Sequence, residues 1–117
     1  MNTPDPRIEV QWTQTALDAL LRIGGRAIQQ KIVLKIESVL ATATPERIGK
    51  PLQGELAGMY RITHGRFRIV YDVARERRNG MEATRVVVRI IYVGIRRGVE
   101  KGDVYVELAR VLRRLGR

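Results

Sequence analysis

The sequence predicts an α+β domain in the order β-α-α-β-β-β-α, a mostly antiparallel sheet with a helical hairpin on one face and a C-terminal helix. Three observations predict it. Strand-forming stretches bunch in the second half, at 59–73 and 84–93, and the short connections between them favour antiparallel neighbours. Two helix-period segments are separated only by Gly24 and Gly25, which makes them a hairpin. A last amphipathic segment follows a basic, glycine-flanked loop.

Residues 1–6 carry two prolines and read as a flexible arm. Ile8 to Trp12 (IEVQW) alternates as a first strand, and Trp12 belongs to the core. Thr13 caps a helix through ALDALLRI that Gly24 and Gly25 terminate. A second helix spans roughly Arg26 to Ala41, with Ile28, Ile32, Ile36 and Val39 as its apolar stripe. The stretch ATATPERIGKPLQGELAG is a loop broken by Pro45 and Pro51. Two strands joined at His64 and Gly65 follow, then the turn ERRNGME, then the long strand TRVVVRIIYV. Arg75, Arg77 and Arg78 around that turn are expected to face water. After the loop GIRRGVEKG, Asp103 caps a final helix whose buried side is Val104, Leu108, Val111 and Leu115. Nothing divides the 117 residues, so a single domain is expected.

Composition removes several function classes. With no cysteine there are no disulfides, thiolate nucleophiles or Cys-based zinc sites, and one histidine does not make a His-rich metal centre. No cofactor is expected. No run of about 18 apolar residues could form a membrane-spanning helix, and MNTPDPR lacks the layout of a secretory signal, so a cytoplasmic protein is expected. Charge points the other way, toward a partner. Lys and Arg number 22 against 12 acids, a formal +10, and the pI is about 11.0. Polyanions are the natural ligands of such a chain, nucleic acid first. Arginine dominates, and its planar fork suits bidentate phosphate contact.

Strand alternation says where that charge goes. Phe67, Ile69, Tyr71 and Val73 share one face with Tyr60, Ile62, Val86, Val88, Ile90 and Tyr92. The other face collects Arg61, Arg66, Arg68, Arg85 and Arg89, and no helix is left over to cover it. Lys50 before the sheet and Arg96 and Arg97 after it add a basic rim, so all these cations are candidate RNA contacts. Tyr105, one residue off the buried stripe of the last helix, is a candidate stacking platform.

Taken together, KPLQG (50–54), MYRI (59–62), GRFRIVYDV (65–73), YVGIR (92–96) and DVY (103–105) resemble the RelE/ParE toxin superfamily, the RelE branch in particular. The resemblance covers nearly the whole chain and implies a RelE-like fold. It also implies a toxin of a type II toxin-antitoxin module: a metal-independent endoribonuclease that cuts mRNA in the ribosomal A site and so blocks translation, neutralised by an acidic antitoxin. Carried over by position, Arg61 corresponds to a basic residue on substrate phosphate and Arg68 to an arginine that stabilises the transition state. Arg96 corresponds to the loop arginine at the scissile phosphate or leaving group, and Tyr105 to the tyrosine that stacks on an mRNA base and assists proton transfer. Close RelE relatives carry a second lysine where this chain has Thr63.

Cleavage through the 2′-hydroxyl requires a base, cations around the phosphorane and help for the leaving 5′-oxygen. Arginine meets the second need, because it keeps its proton below a pKa of about 12. His64, Lys50 and Tyr105 remain as candidate bases. A second reading from the same superfamily is a ParE-like toxin that inhibits DNA gyrase by protein contact, without nuclease chemistry.

Overall fold

The computed structural model describes residues 6–77, 83–98 and 102–116. The expected N-terminal arm, apart from Pro6, residues 78–82 of the ERRNGME turn, with the expectation for Arg78, and the middle of the GIRRGVEKG loop lie outside the described residues. The chain runs β1 (Arg7–Trp12), α1 (Gln14–Arg22), α2 (Arg26–Leu40), β2 (Lys50–Pro51), β3 (Tyr60–His64), β4 (Phe67–Arg77), β5 (Ala83–Ile95) and α3 (Val104–Arg114). The sheet order is β1-β5-β4-β3-β2. Only β1 and β5 are parallel, and every other neighbour pair is antiparallel.

Thr13 turns β1 into α1. Its hydroxyl accepts from the Ala16 N–H at 3.1 Å, as an N-cap does, and donates to the Ile90 carbonyl at 2.8 Å. The cap is therefore fastened to β5, and α1 packs along that strand. Ala16 and Leu20 of α1 join Ile32, Ile36 and Leu40 of α2 over Ile62, Ile69, Tyr71, Val88 and Ile90 of the sheet. Truncating one such aliphatic side chain to Ala costs about 2–5 kcal/mol. Tyr71 keeps its hydroxyl inside this core by donating to the Pro45 carbonyl at 2.7 Å and accepting from the Gly49 N–H at 2.8 Å. Burial pushes its phenol up to about 12. The bond also seats the loop that carries β2, a strand the two prolines had disguised.

Four expectations need correction. The face opposite the hairpin is not open, because α3 lies on it. Val104, Leu108 and Leu112 form a second core there with Val70, Ile91, Tyr92, Met59 and Leu56. The buried stripe of α3 accordingly ends on Leu112; Val111 is half-buried and Leu115 exposed. Strict alternation fails along β5. Val70 pairs with Tyr92 but Tyr71 with Ile90, so Ile91 is an extra residue on the long strand. Beyond that bulge the two sides exchange: Tyr92 and Gly94 turn toward α3, and Val93 and Ile95 toward the hairpin. Lastly, β4 runs on to Arg77, so Arg75 is a strand residue and not part of the turn; it is exposed, as expected, and forks onto Glu46 at 2.8 and 2.5 Å.

Candidate functional site

The sheet face under α3 splits into two halves. The half nearest the α3 N-terminus is built from β2, β3, β4 and the end of β5. Lys50 lies opposite Arg61, Arg61 opposite Val70, and Arg68 between Thr63 and Gly94. Gly94 matters because a Cβ there would stand 3.0 Å from the Val104 side chain. Its absence lets the first turn of α3 settle onto the sheet beside Arg68. The tight turn Gly65–Arg66 uses glycine at φ +58°, and the Arg68 guanidinium donates back to the Gly65 and Phe67 carbonyls at 3.0 and 3.1 Å.

Tyr105, in that first turn, completes the cluster. The Arg96 guanidinium carbon lies 5.0 Å from the centre of its ring. Its hydroxyl is buried and, among the described residues, has no hydrogen-bond partner, and buried polar atoms of that kind are rare in native proteins. Burial pushes the phenol above its ordinary value, while Arg61, Arg68 and Arg96 pull against it. The group is thus a protonated donor at neutral pH, surrounded by three cations.

Beneath the cluster sits Asp103, fully buried. Its Oδ2 accepts from the Tyr105 N–H at 3.1 Å, and its Oδ1 accepts from Arg96 Nη1 at 2.8 Å and from the Arg97 N–H. Burial alone would raise this carboxyl, but the bonds from the Arg97 N–H, the Arg96 guanidinium and the Tyr105 N–H hold it below its usual value. The sequence shows Asp103 only as a helix cap; its second role depends on where loop and strand meet.

The other half of the face is different. Arg89 is paired bidentately with Asp72 at 2.7 and 2.7 Å. Arg85 donates to Glu9 at 2.6 Å and to Glu76 at 2.5 Å. These two candidate RNA contacts are therefore neutralised, which corrects the expectation of a uniformly cationic face. Strand register is the reason: it sets Asp72 across from Arg89 and Glu76 across from Arg85, pairs that span two strands. Arg66 and Arg97 line a separate cleft of about 850 Å³, also flanked by Arg22, Arg110 and Arg114. His64 pairs with Phe67 and so takes the hairpin side of the sheet, away from Tyr105. The structure thus brings together Arg61, Arg68, Arg96 and Tyr105, with Lys50 adjoining.

A five-stranded sheet with a helical hairpin behind and a C-terminal helix over a cationic cluster is the architecture of RelE/ParE toxins. A crystal structure of the toxin-antitoxin complex RelBE2 from Mycobacterium tuberculosis contains a similar chain. It has 31% sequence identity and a TM-score of 0.59 over 75% of this chain and 96% of that one. The family described as ParE toxin of the type II toxin-antitoxin system, parDE, matches residues 10–114. No curated protein matches. This chain belongs to that toxin family, within the RelE/ParE superfamily. No helix of the described residues is long and apolar enough to cross a membrane.

Proposed function

We propose that the chain is a ribosome-dependent endoribonuclease that cleaves mRNA in the A site and inhibits translation. The observation that carries this reading is the buried, unpartnered Tyr105 hydroxyl set among Arg61, Arg68 and Arg96. Three cations that converge on one proton donor suit a phosphodiester. In this reading Arg61 and Arg68 hold the non-bridging oxygens and stabilise the phosphorane, where losing one donor costs about 10²–10³ in rate. The substrate 2′-oxygen attacks phosphorus, the bond to the 5′-oxygen breaks, and Tyr105 gives that oxygen its proton while Arg96 stabilises the developing charge. The products are a 2′,3′-cyclic phosphate and a 5′-hydroxyl. The cluster is made of arginines and a tyrosine, with Thr63 at the position of the relatives' lysine and His64 on the far side of the sheet. The 2′-hydroxyl proton passes to water or to a group of the ribosome, and this favours dependence on the ribosome, which also orients the mRNA.

The +10 charge calls for an acidic antitoxin as partner, and the Mycobacterium relative was crystallised in a toxin-antitoxin complex. The family description, which names parDE, favours a second reading: inhibition of DNA gyrase by protein contact. The deciding experiment incubates the purified toxin with a defined mRNA, with and without stalled ribosomes, and maps ends by primer extension. Ends inside the A-site codon, lost in Arg68→Ala, are expected. Intact mRNA together with blocked gyrase supercoiling would establish the second reading instead.

A further inference from the structure

We propose that Asp103 is the positioning residue of this cluster: its carboxylate fastens the loop arginine Arg96 to the first turn of α3 and so sets Arg96 against Tyr105. The role as catalytic geometry rests on the ribonuclease reading; the role as a tether does not.

An N-cap needs one oxygen. Asp103 caps with Oδ2, through the Tyr105 N–H at 3.1 Å, and that accounts for half of the carboxylate. The other oxygen leaves the helix altogether. Oδ1 accepts from Arg96 Nη1 at 2.8 Å and from the Arg97 backbone N–H, so both residues after β5 are tied to the helix that follows them. The Asp103 side chain is 1% exposed and the Arg96 side chain 41% exposed. One end of the ion pair is therefore fixed inside the protein while the other reaches solvent, the arrangement expected of an anchor and the arm it holds.

How Arg96 is held also bears on function. Nη1 carries both protein bonds, to Asp103 at 2.8 Å and to the Gly98 carbonyl at 3.0 Å. Among the described residues, the Nε and Nη2 donors make no protein bond, and they form the edge that grips an oxyanion bidentately. The carboxylate thus consumes one side of the guanidinium and leaves the other side for a ligand. The backbone agrees: the Arg96 N–H donates to the Arg66 carbonyl at 2.9 Å, so the root of the side chain is pinned to the strand turn and its tip to the helix. Tyr105 is faced by Arg61 from β3, Arg68 from β4, Arg96 from the loop and Asp103 from its own element, the last being the one anion among them.

The test uses the full-length toxin carrying Asp103→Asn or Asp103→Ser. Both replacements can cap a helix; neither supplies the charge that holds Arg96. Two readouts are taken. The first is the titration midpoint of Tyr105 without RNA, from phenolate absorbance against Tyr105→Phe. The second is mRNA cleavage on stalled ribosomes. We expect the Tyr105 midpoint to fall in Asp103→Asn, because the anion that opposes ionisation is gone. We also expect kcat to fall about 10²-fold, the cost of a misplacement near 1 Å, with KM within about threefold. An unchanged kcat in both variants, whatever the midpoint does, would reduce Asp103 to a cap and overturn the proposal. If the wild-type chain itself fails to cleave mRNA, the ribonuclease reading falls, and the tether is decided without RNA. Arg96→Ala should raise the Tyr105 midpoint in the wild type and change it little in Asp103→Asn, whereas an equal rise in both backgrounds would overturn the tether.

Discussion

The two halves of the sheet face under α3 carry the same residue type to different ends. Near the edge strand, Arg85 and Arg89 are locked to Glu9, Glu76 and Asp72. Near the α3 N-terminus, neither Arg61 nor Arg68 is ion-paired among the described residues, and Arg96 is held from one side only. A surface arginine beside a carboxylate contributes little to binding a polyanion, since its charge is already answered. One without such a partner keeps its charge for a ligand. The net charge of +10 is thus a poor guide to where a polyanion would bind. The position of the acids decides it, and strand register decides the position of the acids.

That contrast can be broken experimentally, beginning where the effect is largest. Arg68→Ala should reduce ribosome-dependent cleavage about 10²–10³-fold and leave the urea unfolding midpoint unchanged. A parallel loss of stability would mean that Arg68 belongs with the structural arginines. Gly94→Ala pushes a methyl against Val104 and should cost about 1–3 kcal/mol by overpacking, with cleavage falling as Tyr105 is displaced. Adding Val104→Ala should restore much of both, which denaturation curves and end mapping would show. Arg89→Ala should behave in the opposite way to Arg68→Ala. It leaves the Asp72 carboxylate, 8% exposed, without its partner, at about 1–3 kcal/mol, while cleavage stays within about threefold. The smallest effect is in salt dependence. Arg61→Ala should lower the slope of log affinity for single-stranded RNA against log salt by about 0.7, and Arg85→Ala should leave it unchanged. Equal slopes for the two variants would erase the distinction between the halves.

Much of the fold is legible in local pattern. The cap at Thr13, the break at Gly24 and Gly25, the β3–β4 turn and the cap at Asp103 all depend on a few adjacent residues, and each lies where the sequence puts it except the turn, which falls one residue later, at Gly65 and Arg66. The four residues of the cluster were also readable, through ordered motifs that resemble a known superfamily. Less visible was the bulge at Ile91, because one extra residue leaves no mark in composition and yet reverses every side chain after it. The covering of the second face was hidden for a similar reason. Val70 and Ile91 look like ordinary strand residues on a polar side until α3 is seen to lie on them.

The sequence by itself determined what needs only near neighbours: where the helices and the longer strands form, which residues cap or break the helices, and that arginine dominates the charge. Tertiary structure alone decided which arginines remain available, since Asp72 and Glu76 meet Arg89 and Arg85 only once β4 and β5 pair in register. It also decided that Asp103 serves two masters, the helix it caps and the arginine seven residues before it. The physical reason is range. Backbone propensity and capping act over one turn, whereas an ion pair needs its two charges within about 4 Å in space, however far apart they lie along the chain.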